Sequence, residues 1–91
     1  MYRVSDAVRS IHGQDGAIVL DIRQGQMFNL NFVGSQIFEL LKNESAQPMI
    51  VDEIVREFGV GRDRAEKEVQ EFLETLMQMR LIEQFQPRET P

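Results

Sequence analysis

The hydrophobic pattern of this chain has period two up to about residue 30 and then changes to the helical period. From Ala17 to Ile22, Ile18, Leu20 and Ile22 share one face of an extended segment, and Ala17, Val19 and Asp21 share the other. Arg23-Gln24-Gly25 makes a tight connection, with Gly25 available for positive φ. Gln26 to Leu30 pairs back, with Phe28 and Leu30 toward the core and Met27 and Asn29 away from it. Upstream, Val8 to His12 is a short first strand, and Gly13-Gln14-Asp15-Gly16 is the turn that follows. Sequential pairing of the three strands is a meander, and it leaves the third on an edge.

Helical spacing begins at Asn31, a good N-cap for a helix from Phe32 to about Lys42. Val33, Ile37, Leu40 and Leu41 are its buried stripe. Asn43 to Gln47 is a loop, and Pro48 suits the start of a second helix. Ile50, Val51, Ile54, Val55 and Phe58 supply its apolar side, and Gly59 its left-handed stop. Gly61 caps a third helix, Arg62 to about Met79, with Asp63 and Glu66 near its start and Arg80 at its end complementing the dipole. Leu81 to Phe85 adds a short extended segment. The tail, residues 86–91, is polar and contains proline, which predicts fraying.

Two features of this pattern bear on function. The strand Gln26-Met27-Phe28-Asn29-Leu30 carries no charge and no proline, the usual devices that protect a sheet edge. Its unpaired N–H and C=O groups can capture an extended peptide, unless a later part of the chain covers them. The third helix carries Ala65, Val69, Phe72, Leu73, Leu76, Met77 and Met79 over an arc of roughly 160°. Either this wide face packs entirely against the other helices, or one flank walls an apolar groove beside the third strand. Methionine suits both uses.

Composition narrows the chemistry. Ninety-one residues, 42% hydrophobic, suit one small α+β domain with a modest core. There is no cysteine, hence no disulfide or thiolate metal site, which fits a reducing, cytoplasmic setting. No signal peptide or membrane span is evident, so no membrane partner is expected. The net charge of −5 repels phosphate backbones, and no nucleic acid partner is expected. His12 is the only histidine. No serine sits in a nucleophile elbow, and the paired carboxylates fall on polar helix faces. We therefore expect no enzyme, no catalytic residue, no metal and no cofactor.

The run LNFVGSQIFELL, Leu30 to Leu41, resembles the LN-x-x-G-x-x-I-[WF]-x-L-L segment of PqqD-like proteins, the recognition elements for ribosomally made, post-translationally modified peptides. VLDIRQGQMFNL before it is similar to their hairpin. IVDEIVREFGV and VQEFLETLMQMRLIE are similar to their last two helices. The resemblance spans residues 7–84. It implies a winged-helix-like fold, a three-stranded antiparallel sheet followed by three helices. It also implies that the leader region of a precursor peptide adds as a fourth strand, in a groove between the third strand and the third helix. The peptide-binding residues are then Gln26, Met27, Phe28, Asn29 and Leu30 on the strand, with Val69, Phe72, Leu73 and Leu76 as candidates for the helical wall.

Pyrroloquinoline-quinone members of the family carry Cys-Asp-Gly after the first helix and Gly-Trp near the end of the third. This chain has Lys42-Asn43-Glu44 and Met79-Arg80-Leu81 there. Its length and its Phe38 look more like the free-standing lasso-peptide leader-binding proteins, which work with a separate leader protease. Three other readings remain open at this level. One is a PqqD-type chaperone in another modified-peptide pathway. Another is a winged-helix DNA-binding protein reading with Arg62, Arg64 and Lys67. The third is a dimer formed through the same strand edge.

Overall fold

The computed structural model describes residues 1–85, so the expected fraying of residues 86–91 lies outside it. Five strands and three helices follow in the order β1 (Tyr2–Val4), β2 (Val8–His12), β3 (Gly16–Asp21), β4 (Gln26–Asn31), α1 (Phe32–Lys42), α2 (Gln47–Phe58), α3 (Arg62–Gln78) and β5 (Ile82–Gln84). The antiparallel sheet β2-β3-β4 precedes the three helices, as the alternation predicts, and β4 is its edge.

One element escapes the sequence reading. β1 pairs antiparallel with β5, Arg3 opposite Glu83, in a separate two-stranded sheet. Arg3 Nε donates to Glu83 Oε1 at 2.9 Å, and the Met1 and Phe85 backbones bond to each other. A three-residue strand whose partner is some 80 residues away leaves no periodic signal. The expected extended segment after α3 is thus a strand, and it clamps the end of α3 to the N-terminus. It does not cover β4, whose neighbour among the described residues is β3 alone.

The sheet presents Ala17, Val19, Phe28 and Leu30 to the helices, with Val19 opposite Phe28 and Ala17 opposite Leu30. Behind them lie Ile37, Phe38 and Leu41 of α1, Ile50 and Ile54 of α2, and Val69, Leu73 and Leu76 of α3, all buried. Asn31 caps α1 as expected, its Oδ1 accepting from the Gly34 N–H at 2.7 Å. Gly59 ends α2 at φ 66°, and Gly25 closes the β3–β4 connection at φ 66°. Gly34 has a different use. A Cβ there would lie 3.3 Å from the Phe72 ring, so glycine lets α1 approach α3 closely.

The opposite face of the sheet is apolar and exposed. Ile11, Ile18, Leu20 and Met27 lie on it, with Ile22 just beyond β3. Met27 is 66% exposed.

Candidate functional site

The hydrogen-bond phase of the sheet decides what the β4 edge offers. The Gly13 N–H donates to the Gly16 carbonyl at 2.8 Å, and the Ile22 N–H to the Ala7 carbonyl at 3.0 Å. Backbone groups of successive strand residues point to alternate sides. The even-numbered residues of β3 therefore bond toward β2, and Ala17, Val19 and Asp21 bond toward β4. Their register partners are Leu30, Phe28 and Gln26. Met27 and Asn29 are left with N–H and C=O groups directed off the sheet edge.

Beside that edge lies α3, with a cleft at each end of the strand. One, of about 410 Å³, is bounded by Leu30 of β4, Val33, Gly34 and Ile37 of α1, and Glu68 and Phe72 of α3. The other, of about 520 Å³, is bounded by Gln26 and Phe28 of β4, Arg23 of the preceding turn, and Gln78, Met79 and Arg80 at the end of α3. Each borders β4 toward one end of the strand, so a strand added at that edge would run from one cleft to the other, a groove in two parts.

Of the four helical wall candidates, Phe72 is half-buried and lines this groove. Val69, Leu73 and Leu76 are fully buried and belong to the core. The wide apolar face of α3 is divided accordingly: its centre packs inward, and Phe72 and Met79 form the flank toward β4. Glu68, Gln78, Arg23 and Arg80 also line the groove and were not anticipated. Helical period groups Glu68 with Phe72 at i, i+4, but nothing local brings Arg23 next to Arg80.

That last pairing is built by a buried carboxylate. Asp21 is 1% exposed, and its Oδ1 accepts from the Arg23 N–H at 3.0 Å, from Arg23 Nε at 3.4 Å and from the Gln24 N–H at 3.4 Å. Arg23 Nη2 then donates to the Arg80 carbonyl at 2.7 Å. The β3–β4 turn is thereby tied to the end of α3. Burial pushes the Asp21 carboxyl up, but the Arg23 guanidinium and the two N–H donors outweigh it and hold the carboxyl below its ordinary value of 3.8. A depressed folded pKa means that the ionised form stabilises the fold above the unfolded value, and that this stability is lost as pH falls through the folded one. Urea midpoints of wild type and Asp21→Asn should therefore differ most above pH 4 and converge as pH drops well below 3.8. A constant gap down to pH 2 would show that ionisation of Asp21 is irrelevant to the turn.

Two of the three cations proposed for a DNA-reading helix are paired with acids, and Lys67 is exposed. Arg62 pairs with Asp52 at 2.7 Å and approaches Glu66 at 3.9 Å, and Arg64 pairs with Glu68 at 3.1 Å. His12 lies on the sheet surface, 3.6 Å from Glu39. No cluster among the described residues could hold a metal ion, and no helix of theirs is long and apolar enough to cross a membrane.

The family model of coenzyme PQQ synthesis protein D (PqqD) matches residues 16–82, well over half of the chain. The chain belongs to the PqqD family. No curated protein matches it. Among solved structures, this PqqD-family chain is similar to TbiB1 in complex with the TbiA(beta) leader peptide. The TM-score is 0.86 at 35% identity, over 93% of this chain and 99% of that one. It also shares its fold with lasso peptide synthetase B1 complexed with the leader peptide. There the TM-score is 0.82 at 19% identity, over 91% of this chain and 98% of that one.

Proposed function

We propose that this protein binds the leader region of a ribosomally made precursor peptide, of the lasso-peptide class, and presents it to a separate leader protease without itself doing bond chemistry. The observation that carries the reading is the bare β4 edge. Met27 and Asn29 direct their backbone groups outward, between a cleft lined by Phe72 at one end of the strand and a cleft lined by Met79 at the other. Strand addition draws affinity from such backbone pairing and specificity from side-chain clefts beside it. Both solved relatives carry leader peptides, which supports the same class of ligand here.

Presentation to a protease has its own support. A strand added at β4 places every second side chain on the outer face of the sheet, level with Met27, Leu20, Ile18 and Ile11. This face exposes more large apolar residues than a surface with no partner requires. A protease seated there would meet protein and leader together. A nucleic-acid partner has less support, since Arg62 and Arg64 are paired with acids and the chain carries a net charge of −5.

Isothermal calorimetry with a synthetic leader, taken from its cognate precursor and lacking the core, tests the proposal. We expect micromolar or tighter binding, with amide shifts concentrated at residues 26–31. Absence of both heat and shifts at tens of micromolar would remove the leader from the list of ligands. Binding of leaders from a pyrroloquinoline-quinone pathway instead would move the protein to that branch of the family.

A further inference from the structure

Arg80 occupies a backbone position that favours glycine. It has φ 60° and follows the last turn of α3, with the Leu81 N–H on the Leu76 carbonyl at 3.0 Å and the Arg80 N–H on the Met77 carbonyl at 3.0 Å. This is the Schellman closure of a helix, in which the left-handed residue is usually glycine because a Cβ is strained there. Gly25 and Gly59 take left-handed angles elsewhere, whereas the same closure at the end of α1 carries Glu44 at φ 56°, so the fold accepts a side chain at such a position. The backbone gains nothing from an arginine at 80, and what bears on its use is the cleft beside it.

Arg80 lines the 520 Å³ cleft, and no acidic group among the described residues pairs with its guanidinium. Arg23 lines the same cleft. Its Nε and Nη2 are committed to Asp21 and to the Arg80 carbonyl, which leaves three of its five N–H donors. Gln24, Gln26 and Gln78 supply further amides, and the cleft wall contains no carboxylate, in a chain with fifteen Asp and Glu. The negative end of the α3 dipole faces this cleft and works against an anion, so the Arg23 and Arg80 charges have to outweigh it. The Leu76 and Met77 carbonyls are bonded within the closure, and the Arg80 carbonyl is bonded to Arg23. The cleft at the other end of β4 offers the apolar side chains of Phe72 and Val33 beside Asn29 and Asn31, and its one acid, Glu68, is already paired to Arg64.

We infer that the Arg23–Arg80 end of the groove is a carboxylate subsite that selects an Asp or Glu side chain of the bound peptide. This rests on strand addition at β4 and adds to it a sequence rule. The acid and the apolar residue held near Phe72 must enter the same side of the added strand. They therefore lie an even number of positions apart, two or four over the length of β4. If the added strand continues the antiparallel pattern of the sheet, the acid is the more C-terminal of the two.

A display library of random 15-residue peptides, selected on the full-length protein and on Arg80→Gly, tests this. Wild type should enrich peptides with Asp or Glu two or four positions from an aromatic or aliphatic residue. Arg80→Gly should enrich the apolar residue without the acid. For one selected peptide, Glu→Gln should weaken binding to wild type about tenfold and binding to Arg80→Gly by much less. The variant's Tm should rise by a few degrees, as backbone strain is relieved. A fall in Tm would mean that Arg80 serves the fold, and peptides that bind at β4 without any acid preference would mean that the cleft does not read charge. Either result overturns the subsite while leaving strand addition intact. Selected peptides that bind Met27→Pro as well as they bind wild type would overturn strand addition, and the subsite with it.

Discussion

Met27→Pro and Asn29→Pro will fold and lose leader affinity, whereas Phe28→Pro and Leu30→Pro will fail to hold the hairpin. The difference comes from which way each N–H points. Proline deletes the donor at its own position and bulks the backbone beside it. At 27 and 29 the deleted donor faces solvent in the free protein, so the β3–β4 ladder is intact. At 28 it faces the Val19 carbonyl, and Val19 is fully buried, so an acceptor is stranded without water. Such a group costs about 1–3 kcal/mol before any steric clash is counted. For the outward positions, a lost backbone bond together with the proline ring should weaken leader binding tenfold or more. Asn29→Ala, which spares the backbone, should change affinity little. Circular dichroism and calorimetry on the four proline variants separate the two classes. If the folded variants bind leader normally, the ligand does not add to β4.

Phe38→Ala should be the most damaging of the core truncations beside the site. Phe38 is 1% exposed and packs within the α1–α2–α3 core. Removing a buried Phe costs about 3–5 kcal/mol, which for a domain of this size lowers Tm by at least about 12 °C. Phe28 is half-buried, facing the core on one side and the groove on the other, so Phe28→Ala should fall between this and Met27→Ala. Met27→Ala, at an exposed position, should stay within about 0.5 kcal/mol of wild type. Thermal melts of the three variants give the order. Equal losses at 27 and 28 would mean that the strand faces are reversed, because a one-residue slip exchanges them.

Much of the site could be read before any coordinates. The alternation in Gln26–Leu30 identified an unprotected strand and the side on which Phe28 and Leu30 lie. Asn31, Gly25 and Gly59 marked the cap and the turns that position that strand beside the helices. These are local signals, with periods of 2 and 3.6 residues and particular residue types at particular backbone angles, so the sequence carries them without a partner. The family motif added the class of ligand, which no periodicity encodes.

The rest was decided by contacts between distant segments. That Met27 and Asn29 face outward follows from how β3 pairs with β2, because backbone direction alternates and needs one fixed bond to set its phase. That Val69, Leu73 and Leu76 are core while Phe72 lines the groove depends on where α1 and β4 meet α3, since all four belong to one apolar face. The pairing of β1 with β5 and the path from Asp21 through Arg23 to Arg80 join residues some 57 to 80 positions apart. Side chains that meet only after the chain has closed on itself leave no spacing to read. The strand edge was therefore determined by the sequence alone, and the two ends of its groove by tertiary structure.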